Sequence, residues 1–167
     1  SKMAVICPTI TAYDLEQYRQ QLTVASGLSK RIHIDLMDGV LAPTKSPDIG
    51  DIWLPHGVQV DVHLMYQEPM EQLEALVKLK PSMVIVHAEA HVHHMHFVAE
   101  LHKAGIEAGL AVLPETPTEN IEQIMHSFEH VLIFSGNLGH HGGVADLGLL
   151  KKVKQISLHH PEVEIGW

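Results

Sequence analysis

The sequence predicts an α/β chain of the closed-barrel type, and three observations point there. Short β-rich apolar runs alternate with helical stretches almost from end to end, the turn after the first run carries no glycine, and polar residues gather where the runs finish. Strand, helix, strand repeated this often forces parallel pairing through right-handed crossovers, which leaves an open doubly wound sheet or a closed barrel. A dinucleotide-type open sheet carries a glycine-rich turn after its first strand, whereas "ICPTITAYD" has none. Thr9, Asp35, His63, Glu89 and Asn137 stand instead at the C-terminal ends of runs, as in a (β/α)8 TIM barrel whose rim loops build the site.

The elements follow in order. "AVIC" (4–7) reads as the first strand, and "DLEQYRQQLTVA" (14–25) as a helix with apolar residues at three- and four-residue spacing. "RIHID" (31–35) is the second strand. The stretch from Val40 to Gln59 lacks helical periodicity and reads as a short helix or a long loop. "VQVDVHL" (58–64), "SMVIVHA" (82–88), "EAGLAVL" (107–113) and "HVLIF" (130–134) are the next strands, separated by the helical patterns "PMEQLEALVKL", "MHFVAELHKAG" and "TENIEQIMHSF". The start of the last is marked by "TPTE", with Thr116 as N-cap, Pro117 at the first helical position and Glu119 at the third. A glycine-rich "SGNLGHHGG" (135–143), a helical "GLLKKVKQISL" and a seventh run, "EVEIGW" (162–167), complete the chain.

Composition bounds the function. A chain of 167 residues that is 46% hydrophobic buries one sizeable core, so one domain over 1–167 is expected. The formal charge of −9 argues against nucleic-acid partners and does not favour an anionic membrane. A small molecule or another protein is the expected partner. Cys7 is the single cysteine and forms no internal disulfide; with no leader pattern and no apolar span of ~20 residues, a cytoplasmic protein is expected.

Chemistry concentrates on two strands. Successive strand residues point to opposite faces, so in "HIDLMDG" His33, Asp35 and Met37 share a face opposite Ile32, Ile34 and Leu36. In "VDVHLM" Asp61, His63 and Met65 do the same, which offers two imidazoles and a carboxylate to one interior. Such a set suits zinc, manganese or ferrous iron, although a buried histidine paired with aspartate is also common in cores. His87 and Glu89 form a second same-face pair that either extends the polar site or is structural. Met37 and Met65 read first as core, the histidines of "HVHHMH" (91–96) as a solvated face, and Cys7 as a buried small residue rather than a nucleophile. The glycine-rich 135–143 loop precedes a helix and offers amides for a phosphate, or is merely a turn.

Taken together, "CPTI", "HIDLMDG" with Pro43 soon after, "DVHLM" followed by "EP", "VHAEA", "GLAVLPETP" and the glycine-rich loop resemble the ribulose-phosphate 3-epimerase family in order and spacing. The resemblance implies a (β/α)8 barrel that interconverts D-ribulose 5-phosphate and D-xylulose 5-phosphate through an enediolate, with one carboxylate on each side of it. It implies His33, Asp35 and His63 as ligands of one divalent metal (zinc, Fe(II) or manganese) and Asp35 as one acid/base. Met37 and Met65 would line the enediolate, Thr9 would touch the substrate where the family has serine, and the amides of Gly139, Gly142 and Gly143 would hold the phosphate. A homo-oligomer is compatible, since family members are commonly assemblies.

Two departures bear on this. "NLGHHGG" replaces the family's N-P-G-F-G-G-Q, which keeps a ketohexose 6-phosphate open as the substrate, and Phe134 stands where a third methionine is expected. In the family, strand seven leads into D-G-G, whose aspartate is the second acid/base and fourth ligand; this sequence reaches Trp167 first, so the expectation is a barrel represented only through strand seven of a longer chain. A non-catalytic sugar-phosphate-binding barrel is the reading of a different class.

Overall fold

Among the described residues seven strands form one parallel sheet whose order in space is their order in the chain: β1 (Thr9–Thr11), β2 (Arg31–Met37), β3 (Gln59–Met65), β4 (Met83–His87), β5 (Glu107–Val112), β6 (His130–Ile133) and β7 (Glu164–Gly166). This computed structural model describes residues 7–134 and the backbone of 164–166; the expected strand start at 4–6, the 135–143 loop with Gly139, Gly142 and Gly143, and the helix at 148–158 lie outside the described residues. The strand order decides between the two architectures. A doubly wound sheet reverses its order at a switch point, whereas a sheet that adds every new strand to the same edge keeps its crossovers turning one way and curls into the (β/α)8 barrel arrangement.

The alternation of the strands separates two environments. Ile32, Ile34 and Leu36 of β2, Val60, Val62 and Leu64 of β3, and Val84 and Val86 of β4 join one buried cluster with Tyr18, Leu22, Leu76, Phe97 and Leu101 from the surrounding helices. Near-continuous burial on both faces is what a parallel sheet covered by helices requires. The opposite face turns inward, where Met83, Ile85 and Ala111 pack together, with Leu132 against them. Gly109 belongs to this interior: a Cβ there would meet Ile85 Cγ1 at 3.0 Å and Met83 Sδ at 3.3 Å, so the missing side chain makes the room.

The helices follow the expected pattern at the start and depart from it later. Helix α1 (Leu15–Leu28) begins because the Asp14 carboxylate accepts the Gln17 amide, and it buries Tyr18, Leu22 and Ala25 at helical spacing. Helix α2 (Leu73–Leu79) is preceded by a 3₁₀ turn at Pro69–Gln72, and α3 (His94–Lys103) is capped by His93. The stretch expected to be irregular from Val40 to Gln59 is, up to the start of β3 at Gln59, a loop with one 3₁₀ turn, Ile49–Asp51, held by buried Ala42, Ile49 and Ile52 and by Ser46, whose amide donates to the Met37 carbonyl at 3.1 Å. No helix among the described residues is long and apolar enough to cross a membrane.

Three expectations are corrected. Instead of a helix over 118–128 there are two 3₁₀ turns, Thr118–Asn120 and Met125–Ser127. The Thr116 hydroxyl, expected as the N-cap, donates to Glu89 Oε2 at 2.7 Å, and Pro117 holds the N-cap position of the first turn. The first described strand lies at Thr9–Thr11; of "AVIC" only Cys7 is among the described residues, and it precedes that strand. Cys7 accordingly sits ahead of the strand and is exposed, not buried. Its thiol is pushed up by partial burial and then by the Asp61 carboxylate, against Arg31, which keeps it a poor nucleophile.

Candidate active site

Parallel register brings the chemistry of three strands level. Thr11 of β1 pairs with Asp35 of β2, and Asp35 pairs with His63 of β3, so three polar side chains stand side by side near the C-terminal ends of their strands. His33 lies one pleat lower on the same face. Asp35 is the hub: its Oδ1 lies 3.2 Å from His33 Nε2 and 3.3 Å from His63 Nδ1, while its Oδ2 accepts from Thr11 Oγ1 at 2.8 Å. Thr11 was not among the residues singled out by sequence, although alternation in "TIT" puts it on the face of Thr9. Thr9 itself opens β1, exposed and level with His33.

Beyond His63 the polar chain continues. His63 Nε2 and His87 Nε2 are 2.6 Å apart, and His87 Nδ1 is 3.3 Å from Glu89 Oε1. His87, at the end of β4, is fully buried; its carbonyl receives His94 Nε2 at 2.9 Å. Of the "HVHHMH" stretch, His91, His93 and His96 are exposed as expected, and His94 turns inward. Phe134 closes over both rings, its centroid 5.2 Å from that of His63 and 6.1 Å from that of His87. The position expected to carry a methionine therefore carries an aromatic lid on the imidazole pair.

Met37 and Met65 pair across β2 and β3 and are buried at 0% and 1% exposure, in a small apolar cluster with Ala42. They lie one pleat beyond Asp35 and His63 toward the strand ends. The Thr44 hydroxyl contacts Met37 Sδ at 3.1 Å, and Asp38 ties the loop down by accepting the amides of Val40, Leu41 and Gln67. Gly39 occupies the left-handed region at φ 78° in this turn, which a side chain would strain.

The electrostatics suit a cation. Burial opposes charge on Asp35, but its contacts with the imidazoles of His33 and His63 outweigh burial and hold the carboxyl well below its ordinary range. Burial pushes the His63 imidazole down to about 4, against the contact with Asp35, which favours the charged form. At neutral pH the site thus contains an ionised carboxylate and a neutral imidazole, the protonation states that metal ligation requires. Ligand atoms of His33, Asp35 and His63 all lie within 4.8 Å of one another, so this trio can hold a metal ion. Two nitrogens and one carboxylate oxygen fit zinc, manganese or ferrous iron.

Comparison with known proteins gives the geometry a context. The model of the Ribulose-phosphate 3 epimerase family matches residues 5–166. Ribulose-phosphate 3-epimerase of Bacillus subtilis (strain 168) is 31% identical over 158 residues, covering 92% of this chain and 73% of that protein. The Synechocystis protein of the same name is 30% identical over 162 residues, covering 93% of this chain and 70% of its own length. A chloroplastic ribulose-5-phosphate-3-epimerase of Arabidopsis thaliana is 29% identical over 158 residues, covering 91% of this chain and 56% of that protein.

Proposed function

Because the chain belongs to the ribulose-phosphate 3-epimerase family, we propose that it inverts carbon 3 of a phosphorylated ketose, D-ribulose 5-phosphate to D-xylulose 5-phosphate, with Asp35 as one acid/base. The observation that carries this reading is the convergence of His33 and His63 on a single carboxylate oxygen of Asp35 near the strand ends.

The hydrogen on carbon 3 is acidified by the C2 ketone beside it, so a carboxylate that is ionised at neutral pH can remove it. Asp35 meets that requirement because its carboxyl is held low. The Thr11 hydroxyl fixes Oδ2 and with it the direction of the carboxylate. His33, Asp35 and His63 are the residues that would hold a divalent metal, which when bound would stabilise negative charge on the substrate oxygens of the enediolate. Met37 and Met65 would present an apolar surface that keeps water from protonating the planar intermediate. Inversion needs the proton to return on the opposite face from a second acid, which the family resemblance assigns to an aspartate following strand seven. Thr9 would meet the sugar, and the amides of Gly139, Gly142 and Gly143 would carry the phosphate.

A second reading, a ketohexose 6-phosphate as substrate, is favoured by the altered "NLGHHGG" sequence. Relative rates on the pentulose and hexulose phosphates separate the two. The metal requirement is tested by chelation: activity should vanish with the metal and return with zinc, manganese or ferrous iron, whereas full activity in the chelated protein would exclude it.

A further inference from the structure

The edge of β2 that faces β1 runs out of strand at Met37. The His33 amide donates on that side, to the Pro8 carbonyl, and Met37 lies an even number of residues on, so its backbone faces the same way. β1 ends at Thr11, opposite Asp35, and leaves Met37 without a strand partner there. The β2–β3 loop takes the strand's place. Met37 donates its amide to Ser46 Oγ at 2.8 Å, and its carbonyl accepts the Ser46 amide at 3.1 Å and the Ser46 hydroxyl at 3.2 Å. The same loop reaches the side chain, where Thr44 Oγ1 donates to Met37 Sδ at 3.1 Å.

Asp38 then clips β2 to β3. Its amide donates to the Met65 carbonyl at 3.3 Å, and its Oδ2 accepts the Gln67 amide at 2.7 Å, so one residue sets the height of Met37 against Met65, its partner in register. Its Oδ1 accepts the amides of Val40 and Leu41, which leaves both carboxylate oxygens engaged by backbone. A methionine used as core filler is adaptable, with three rotatable bonds and a sulfur that accepts hydrogen bonds only weakly. Met83, lower in the same interior, packs in that manner with Ile85 and Ala111. Met37 is instead held at its amide, its carbonyl and its sulfur by one loop. Filling space does not require this; a wall that must stay in place while a planar intermediate forms beside it does.

We infer that Asp38, Thr44 and Ser46 are positioning residues for the methionine wall: Thr44 and Ser46 fix Met37, and Asp38 keeps it level with Met65, before substrate arrives. This rests on the proposed inversion of carbon 3 at the same site, and deepens it. None of the three need touch the substrate. They act by keeping Met37 from swinging aside and admitting water to the intermediate.

The test uses the protein purified with zinc present and labelled with ¹³C at the methionine methyl groups. Relaxation of the Met37 methyl, assigned by its loss in Met37→Leu, should show it ordered in the substrate-free wild type. Thr44→Val keeps the shape and removes the donor, so the Met37 methyl should become more mobile while that of Met83 is unchanged, and Thr44→Ser should restore order. The second readout is a ratio taken at early turnover in deuterium oxide: deuterium in the recovered ketose phosphate over epimer formed. It should rise about threefold in Thr44→Val, toward the low end of what one hydrogen bond is worth, and return in Thr44→Ser. A loss of folded or metal-loaded molecules alone leaves this ratio unmoved. A wild-type Met37 methyl as mobile as that of exposed Met95, or a Thr44→Val protein that keeps either the wild-type order or the wild-type ratio, would overturn the inference and leave the proposed function intact. If Thr44→Val does not fold, Asp38→Asn decides. Its new amide nitrogen must face a backbone N–H, so Met37 and Met65 should both loosen and the ratio rise; methyls as ordered as in wild type would overturn the inference. A wild-type protein that inverts neither the pentulose nor the hexulose phosphate would overturn the proposed function, and the inference with it.

Discussion

Replacing Asp35 by asparagine separates chemistry from architecture. The side chain is nearly isosteric, and its surroundings can absorb the change: Thr11 Oγ1, 2.8 Å from Oδ2, can rotate its hydroxyl to accept from the new amide instead of donating. The amide oxygen keeps a carbonyl acceptor beside His33 and His63. Neutral hydrogen bonds then replace bonds to a charged group, so the fold should lose about 1–2 kcal/mol, the difference between the two kinds of bond, and the variant should still fold. Turnover should not survive. Loss of a positioned acid/base costs roughly 10²–10⁴-fold, and the same substitution removes the anionic member of the trio that can hold a metal. A fall in kcat/KM of at least ~10³ is expected, which is about 4 kcal/mol of transition-state stabilisation. The assay is coupled detection of D-xylulose 5-phosphate beside thermal unfolding of the same sample. An unfolded variant would make Asp35 structural, and activity within tenfold of wild type would move the base elsewhere.

Two further substitutions probe what supports the site. Thr11→Val keeps the shape but removes a 2.8 Å hydrogen bond to a carboxylate; it should cost roughly 1.5–3 kcal/mol in denaturant titration, the range for hydrogen bonds to charged groups, and Thr11→Ser should restore most of it. A Thr11→Val protein as stable as wild type would show that the contact does not hold Asp35. At the other end of the interior face, Arg31 Nε and Nη2 both contact Asp61 Oδ2, at 2.9 and 2.8 Å, and Asp61 Oδ1 is buried with no hydrogen-bond partner among the described residues. Arg31→Met strands this carboxylate and should destabilise by about 3 kcal/mol, the low end for breaking a buried pair because Arg31 is half exposed, with Arg31→Met/Asp61→Leu recovering most of the loss. If the single variant unfolds at the wild-type denaturant midpoint, the pair contributes little.

The parts legible in the sequence were those governed by local alternation. Val- and Ile-rich runs gave β2 through β6 to within a residue or two at each end, and the same alternation put His33, Asp35 and His63 on one face; parallel register then aligned Asp35 with His63. Contacts across long separations were not legible. Thr116 carries every local mark of a helix N-cap, yet its hydroxyl donates to Glu89, 27 residues away, the N-cap position falls to Pro117, and the helix expected after it becomes two 3₁₀ turns. His87 and Glu89 were visible as a same-face pair, but the bond to His63 was not, because β3 and β4 pair His63 with Ile85, two residues short of His87. Thr11 escaped because the apolar "AVIC" outweighed the short "TIT" as a strand, and only the true register sets it against Asp35.

The most direct test of the central claim is solvent-deuterium exchange at carbon 3 of D-ribulose 5-phosphate, followed by NMR with the metal-loaded protein. Proton transfer through Asp35 on one face and a second acid on the other predicts deuterium at carbon 3 together with D-xylulose 5-phosphate, both lost in Asp35→Asn. A substrate that keeps its carbon 3 hydrogen in the presence of folded, metal-loaded protein would contradict it.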